Sequence, residues 1–351
     1  MTERNVYSRY EKAVPKIAPL SPQPILSESE RVGLALAHLA YQTGAVRVAN
    51  PNLGGFSHIV VTRQGLFAVN ENRYSLLAHG LFFGITLRGS SIYVFEACDL
   101  PRVWTRRGRI VRLIRDGDRV VRSEVIVSGL DNGCHQIDFI DDRLCILDTY
   151  NQCILRFLPD GTGMERLHPL PPGAKRDGAR GYLHANSLLQ VEDKNLLLLH
   201  NGDEPSGQQS AIAVCDREWR LVDRWLLSGE GCHNIAALED GSLLSCGSLA
   251  GELIGLDGLR IKISNMMTRG LSVGADSIAI GASTFSSRRD RRLAPGAVTF
   301  LGRGYGVRAV LDIPGAPTDI RRLDGCDYSL SSYVRNKVYD REKRENTKSS
   351  R

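Results

Sequence analysis

Three histidines stand at equal intervals in this chain: His135, His184 and His233 are each 49 residues apart. Each opens a short apolar segment. His135 begins Gln136-Ile137-Asp138-Phe139-Ile140, His184 begins Ala185-Asn186-Ser187-Leu188-Leu189, and His233 begins Asn234-Ile235-Ala236-Ala237-Leu238. Neutral imidazoles suit zinc, iron and copper, and three of them leave an ion one open position for water or substrate. Such an ion lowers the pKa of bound water or polarises a carbonyl. A fourth ligand is expected from His58, with His79 as the alternative. Without a metal, the same histidines offer a general base. They also offer a purely architectural role, each capping its strand by a bond to neighbouring backbone.

Other groups stand at matching places. Arg269 suits a substrate carboxylate, because a guanidinium presents a planar fork of donors. Asn186 and Asn234 are placed to orient ligands or substrate, or to satisfy turn backbone. Asp138 is a candidate acceptor for an imidazole N–H, and His200 a supporting residue behind the histidines. Cys134 and Cys232 each precede a repeat histidine. Successive side chains on a strand face opposite ways, so these cysteines are expected to pack between strands as small hydrophobes. Gly270-Leu271-Ser272-Val273-Gly274 matches a nucleophile elbow in letters, but no helix follows it, as that motif requires. No P-loop, dinucleotide fingerprint or calcium loop occurs.

Residues this far apart meet only if the fold repeats. From residue 56 onward, short runs rich in Val, Ile, Leu and Tyr alternate with Gly, Asp and Asn turns such as Asp116-Gly117, Asp160-Gly161 and Asp240-Gly241. Weaker copies of the histidine segments begin at Phe83, Arg269 and Thr318. A period of forty to fifty residues, with about four strands in each, is the signature of a β-propeller. The units starting near 83, 135, 184, 233 and 270 are complete. The unit at 318 holds two strands, and residues 56–80 supply the rest of its blade. The expected fold is therefore all-β, a six-bladed propeller closed by pairing of N- and C-terminal strands. Seven blades are the alternative, if residues 56–80 form a blade of their own. The inner strand of each blade lines a central channel, so the three histidines converge at its mouth on successive blades.

Residues 1–55 read as an arm. Four of the fourteen prolines fall in the first 26 residues. Ser27 and Glu30 then form a capping box, and Val32, Ala35, Leu36, Leu39 and Ala40 follow at helical spacing up to Gly44, which predicts a helix over about 28–43. Residues 56–333 are the propeller, and 334–351 a charged tail expected to be disordered.

Leu144 to Gly161, with Asp148-Thr149, Asn151, Phe157 and Asp160-Gly161, resembles an NHL repeat. The whole chain also resembles a group of bacterial propeller proteins, which implies the fold and no particular activity. Among NHL-type propellers, the lyase that cleaves peptidyl-hydroxyglycine holds zinc on channel histidines. Carotenoid oxygenases, another propeller class, hold iron on four. The resemblance implies lyase or oxygenase chemistry as the two forms to test.

The 351 residues carry a net charge of +6, which invites a nucleic-acid reading. Residues 1–20 account for +2 and residues 334–351 for +4, so the body is neutral and no nucleic-acid partner is expected. No run of 18 apolar residues predicts a membrane span. The N-terminus lacks the apolar core of a secretory signal, so a cytoplasmic location is expected, with the 8 cysteines as thiols. These readings lead to a metal-dependent enzyme holding zinc, iron or copper on His135, His184, His233 and His58, acting on a small molecule or peptide. A protein-binding scaffold, with a partner on a propeller face, and a metal-free lyase or hydrolase with a histidine base are the competing expectations.

Overall fold

The computed structural model describes residues 27–100, 105–170, 182–201, 207–284 and 294–334. Among the described residues one α-helix, α1 (Glu28–Thr43), precedes twenty-four strands. The expected capping box is formed: Ser27 N–H donates to Glu30 at 2.8 Å and Glu30 N–H donates to Ser27 Oγ at 3.4 Å. Gly44 ends the helix at φ +69°, a left-handed conformation that costs glycine nothing.

The strands make six four-stranded antiparallel sheets, as the six-bladed reading required. Blade 1 contains β1 (His58–Thr62), β2 (Gly65–Val69) and β3 (Tyr74–Ala78). Blade 2 is β4 (Phe82–Arg88), β5 (Ser91–Ala97), β6 (Gly108–Asp116) and β7 (Arg119–Leu130). Blade 3 is β8 (Ile137–Ile140), β9 (Arg143–Asp148), β10 (Cys153–Phe157) and β11 (Glu165–Leu167). Blade 4 is β12 (Ala185–Val191), β13 (Lys194–Leu199), β14 (Ala211–Cys215) and β15 (Leu221–Leu226). Blade 5 is β16 (His233–Ala237), β17 (Leu243–Gly247), β18 (Glu252–Gly255) and β19 (Arg260–Lys262). Blade 6 is β20 (Met267–Val273), β21 (Ser277–Ser283), β22 (Gly296–Gly302) and β23 (Val307–Ile313).

The last strand, β24 (Pro317–Arg322), pairs with β1 and becomes the inner strand of blade 1. Closure is thus one C-terminal strand plus three N-terminal ones. The expected second C-terminal strand, Asp327–Leu330, is instead a turn followed by one helical turn. Its backbone is used differently. Asp327 accepts from Val273 N–H, Ser272 Oγ–H and Arg322 N–H, Tyr328 C=O accepts from Ala237 N–H, and Ser331 bonds Asp138 and Gln190. The segment crosses the channel at the ends of the inner strands farthest from their starts. It ties blades 1, 3, 4, 5 and 6 together there.

Blades pack on both faces, so their strands read as continuous apolar runs rather than as alternations. The core is correspondingly divided into six clusters, one in each gap between neighbours. Ile59, Val61 and Leu66 meet Ile85 and Val94 between blades 1 and 2. Val60, Phe67 and Ile320 meet Val298 and Phe300 between blades 6 and 1. Cys134 and Cys232 lie fully buried in two of these clusters, as their position beside the histidines predicted. Burial pushes both thiols up, that of Cys232 to about 11, which keeps them protonated.

The helix does not bury its apolar stripe: Val32, Leu36 and Leu39 are 46–55% exposed. Polar contacts dock it on blade 2. Buried Arg109 donates to the carbonyls of Ala40 and Ala45 at 2.8 Å and pairs with Glu96, while Tyr41 donates to the Arg106 carbonyl. No described helix is long and apolar enough to cross a membrane. The basic run Ser286–Arg292 and the tail 335–351 lie outside the described residues.

Candidate functional site

Each inner strand begins with a bulge, and these bulges make the site. The register of β12 skips at Asn186, between Ala185 and Ser187; that of β16 skips at Asn234. Between Phe82 and Ile85, between Thr268 and Leu271, and near Thr318, the same irregularity recurs. In blade 3, Leu147 bonds both His135 and Gln136, the same two-to-one arrangement. A bulge turns a side chain away from the sheet's alternation. Six of them around an axis aim six side chains into one volume. A small recess of about 10 Å³, little more than one water, results, lined by His135, Gln136, His233, Asn234, Arg269 and Phe83 with Asn186, Ser187 and Thr318. The matching positions expected at Phe83, Arg269 and Thr318 are all here.

Close approach of the inner strands demands glycine at two of these bulges. A Cβ on Gly84 would lie 2.6 Å from the His135 carbonyl oxygen. Gly270, beside Arg269, has φ +82° and would press a Cβ against Ile320 at 2.9 Å. Below the recess, every blade is bonded to the next through its inner strand. Ile85 N–H donates to Asp319, Thr86 to Asp138, Leu188 N–H to Gln136, Asn234 N–H to Ser187 and Gly270 N–H to Asn234; Arg321 donates to the Leu271 carbonyl and closes the ring.

That belt reassigns several expected roles. Asn186 Nδ2 donates to the Cys232 carbonyl at 2.9 Å and its Oδ1 accepts from Ser187. Asn234 Nδ2 donates to Asp319 at 3.1 Å and its Oδ1 accepts from Gly270 N–H at 2.8 Å. Both amides serve the joints between blades, the backbone-satisfying role. Asp138 accepts from Thr86 and Ser331 and not from an imidazole.

The histidines do gather, with one change of register. His135 and His233 occupy the same bulge position, but its counterpart in blade 4 is Ala185. His184 precedes that position at φ +50°, a left-handed conformation rare for a residue with a Cβ. The equal 49-residue spacing therefore hides a shift of one residue. His200 fills in. Its N–H donates to the His184 carbonyl, and its ring stacks on that of His184 at 4.4 Å with planes 16° apart. His184 also meets His135 at 5.5 Å, and His200 meets His233 at 4.4 Å, both edge to face. Four imidazoles thus form a continuous chain across blades 3, 4 and 5.

Their protonation follows from their bonds. His135 Nδ1 lies 2.8 Å from the Gly133 carbonyl oxygen, and His233 Nδ1 lies 2.8 Å from that of Gly231. A carbonyl only accepts, so Nδ1 carries the proton and Nε2 the lone pair. In His233 that lone pair accepts from Arg269. Burial holds His135, His200 and His233 well below the usual imidazole range, and the Arg269 charge pushes each the same way. All three are neutral at pH 7.

His58 is not part of this group. It pairs with Arg322 at the end of β1, whereas Thr62, at the other end, pairs with Pro317 beside the recess. Its ring packs on Phe300 at 5.6 Å, and its Nδ1 bonds Ser57. His79 is exposed beyond β3.

The fit to a metal can be judged from these bonds. His233 has Nδ1 turned to Gly231 and Ser248 and Nε2 turned to Arg269, so a guanidinium stands where an ion would bind. Among the described residues no three His, Cys, Asp or Glu side chains are placed to hold one ion. The residues as arranged do not fit a three-histidine metal centre.

No protein-family model and no curated protein matches the chain. Solved structures do. A chain of a nidogen/laminin complex superposes with a TM-score of 0.53 at 10% identity, over 79% of this chain and 99% of that one. A protein of unknown function from Bacteroides caccae gives 0.50 at 11% identity, over 76% and 99%. More distant neighbours include enzymes, among them the dihydro-heme d1 dehydrogenase NirN in complex with DHE, at 0.40 and 12% identity over 82% and 69%. Likeness at this level is one of fold.

Proposed function

We propose that this propeller binds a small carboxylate-bearing molecule at its channel mouth and acts on it with a neutral histidine as general base. No resident metal ion takes part. The observation that carries this reading is the shared recess of His135 and Arg269. His135 has its proton on Nδ1, held by Gly133, and offers Nε2 as the acceptor. Arg269, 7% exposed, offers a cation whose fork matches a carboxylate. Such a pair does two things. The guanidinium binds the anion and stabilises negative charge that develops beside it. The imidazole removes a proton from the substrate or from a water. Elimination and hydrolysis are both reactions of this kind. The imidazole chain through His184 and His200 packs against the two recess histidines and excludes water from one side.

Calorimetric titration with acetate, malonate and succinate, in a carboxylate-free buffer, tests the binding half. The wild-type protein should bind at least one of them, and Arg269→Met should abolish it. Absence of binding by all three, or binding that survives Arg269→Met, overturns the reading.

A further inference from the structure

Beyond the carboxylate, the recess carries a second donor. Of the three amides that line it, those of Asn186 and Asn234 are committed to neighbouring blades. Gln136 is different. Its Oε1 accepts from Leu188 N–H at 2.8 Å. Only the oxygen of an amide can accept that bond, so the orientation of the group is set and Nε2 is the remaining end. Gln136 is 4% exposed, and Nε2 is buried without a hydrogen-bond partner. A buried amide N–H₂ left unsatisfied costs about 1–3 kcal/mol. Such a group calls for an explanation, and a bound ligand supplies one.

The ring geometry says what that ligand looks like. Gln136 belongs to blade 3 and Arg269 to blade 6, which face each other across a six-bladed ring. The arc from blade 3 through blade 5 presents imidazoles. The arc through blades 1 and 2 presents Phe83 and Thr318, whose hydroxyl is occupied by the carbonyls of Val61, Phe82 and Phe83. The two donors therefore come from opposite blades, with imidazoles along one side and an aromatic ring along the other. The recess itself holds about 10 Å³, little more than one water, so only a short molecule that reaches in from the open mouth can be met there.

We infer that the ligand is a short acid with two acceptor ends, its carboxylate on Arg269 and a second carboxyl or carbonyl oxygen on Gln136 Nε2. The carboxylate end rests on the reading given above; the Gln136 end stands on its own bonds. Placed so, the carbons between the two ends lie in the recess that His135 also lines. Protons on carbon flanked by two carbonyl-type groups are the ones a neutral imidazole removes most readily.

Titration of the full-length protein with malonate, succinate and acetate separates the two claims. The better of the two diacids should bind the wild type at least tenfold tighter than acetate. Gln136→Met should remove that advantage and leave acetate unchanged. Gln136→Glu keeps an oxygen for Leu188 N–H and guards against loss of folding. It should prefer malonamate, which ends in a donor, over malonate. Equal affinity for diacids and acetate in the wild type, or a diacid advantage that survives both Gln136 variants, overturns the two-ended ligand while Arg269-dependent acetate binding keeps the carboxylate reading. Loss of Arg269 dependence removes both.

Discussion

Arg269 of blade 6 donates its guanidinium N–H to Nε2 of His233 in blade 5. A cation bonded to an imidazole lone pair does what burial also does: it keeps the ring neutral. It occupies the atom a metal would need.

Removing the cation should therefore be visible in the histidines. Burial is the larger cause of their lowered pKa values and remains in Arg269→Met, while the repulsion from the Arg269 charge is lost. The ring resonances of His135 and His233 should titrate at higher pH in the variant than in the wild type, as followed by NMR. Identical titration in both proteins would show that the guanidinium does not act on them.

Metal content gives an independent check. Protein purified without a histidine tag should carry far less than one zinc, iron or copper per chain by elemental analysis, and chelation should leave its melting temperature unchanged. One ion per chain, lost in His184→Ala, would restore the three-histidine centre.

The inter-blade belt makes Asn234 a stability residue. Asn234→Ala removes one bond to Gly270 N–H and one to Asp319, both buried. It should cost on the order of 2–3 kcal/mol in urea unfolding. Normal stability with altered ligand binding would instead put this amide in the site.

His58 predicts a pH effect with a definite sign. Burial lowers its pKa from the usual 6.5 to about 4. Below pH 6.5 the unfolded chain takes up a proton that the folded one refuses, so this group's contribution is complete above pH 6.5 and is lost as pH falls toward 4. His58→Phe cannot show that loss. Its stability relative to wild type should improve by about 1.4 kcal/mol per pH unit through that window. Buried carboxylates with raised pKa, such as Asp319 at about 7, act in the opposite direction in both proteins and cancel in the comparison. A difference that stays constant from pH 7 to pH 4.5 would contradict the assignment.

Asp327 tests the channel closure. It is fully buried and accepts from three backbone N–H groups and two hydroxyls. Asp327→Ala strands these donors at the inner ends of blades 1 and 6, and thermal unfolding should show one of the larger losses of any single change. A melting temperature within a degree of wild type would show that the C-terminal segment does not hold the ring.

Local patterns were enough for much of this protein. The period of strands and turns pointed to six blades with seven as the alternative, the incomplete repeats pointed to closure by joined N- and C-terminal strands, and Ser27, Glu30 and Gly44 determined the helix. Those features depend on neighbours in sequence or on self-similarity, which a linear chain displays. The recurrence of His135 and His233, and the matching places of Phe83, Arg269 and Thr318, were legible for the same reason. Tertiary structure decided what these residues do. Equal spacing could not show that His184 sits one residue before its apparent equivalent, because only strand pairing sets register. Nothing local connects His200 to His233 or Arg269 to a lone pair 36 residues away. Gln136 and Asn234 look alike as the residue after a repeat histidine, yet Asn234 is bonded at both ends of its amide and Gln136 at one. That difference depends on which backbone groups the next blade presents, and packing around the axis, rather than the order of the residues, places them.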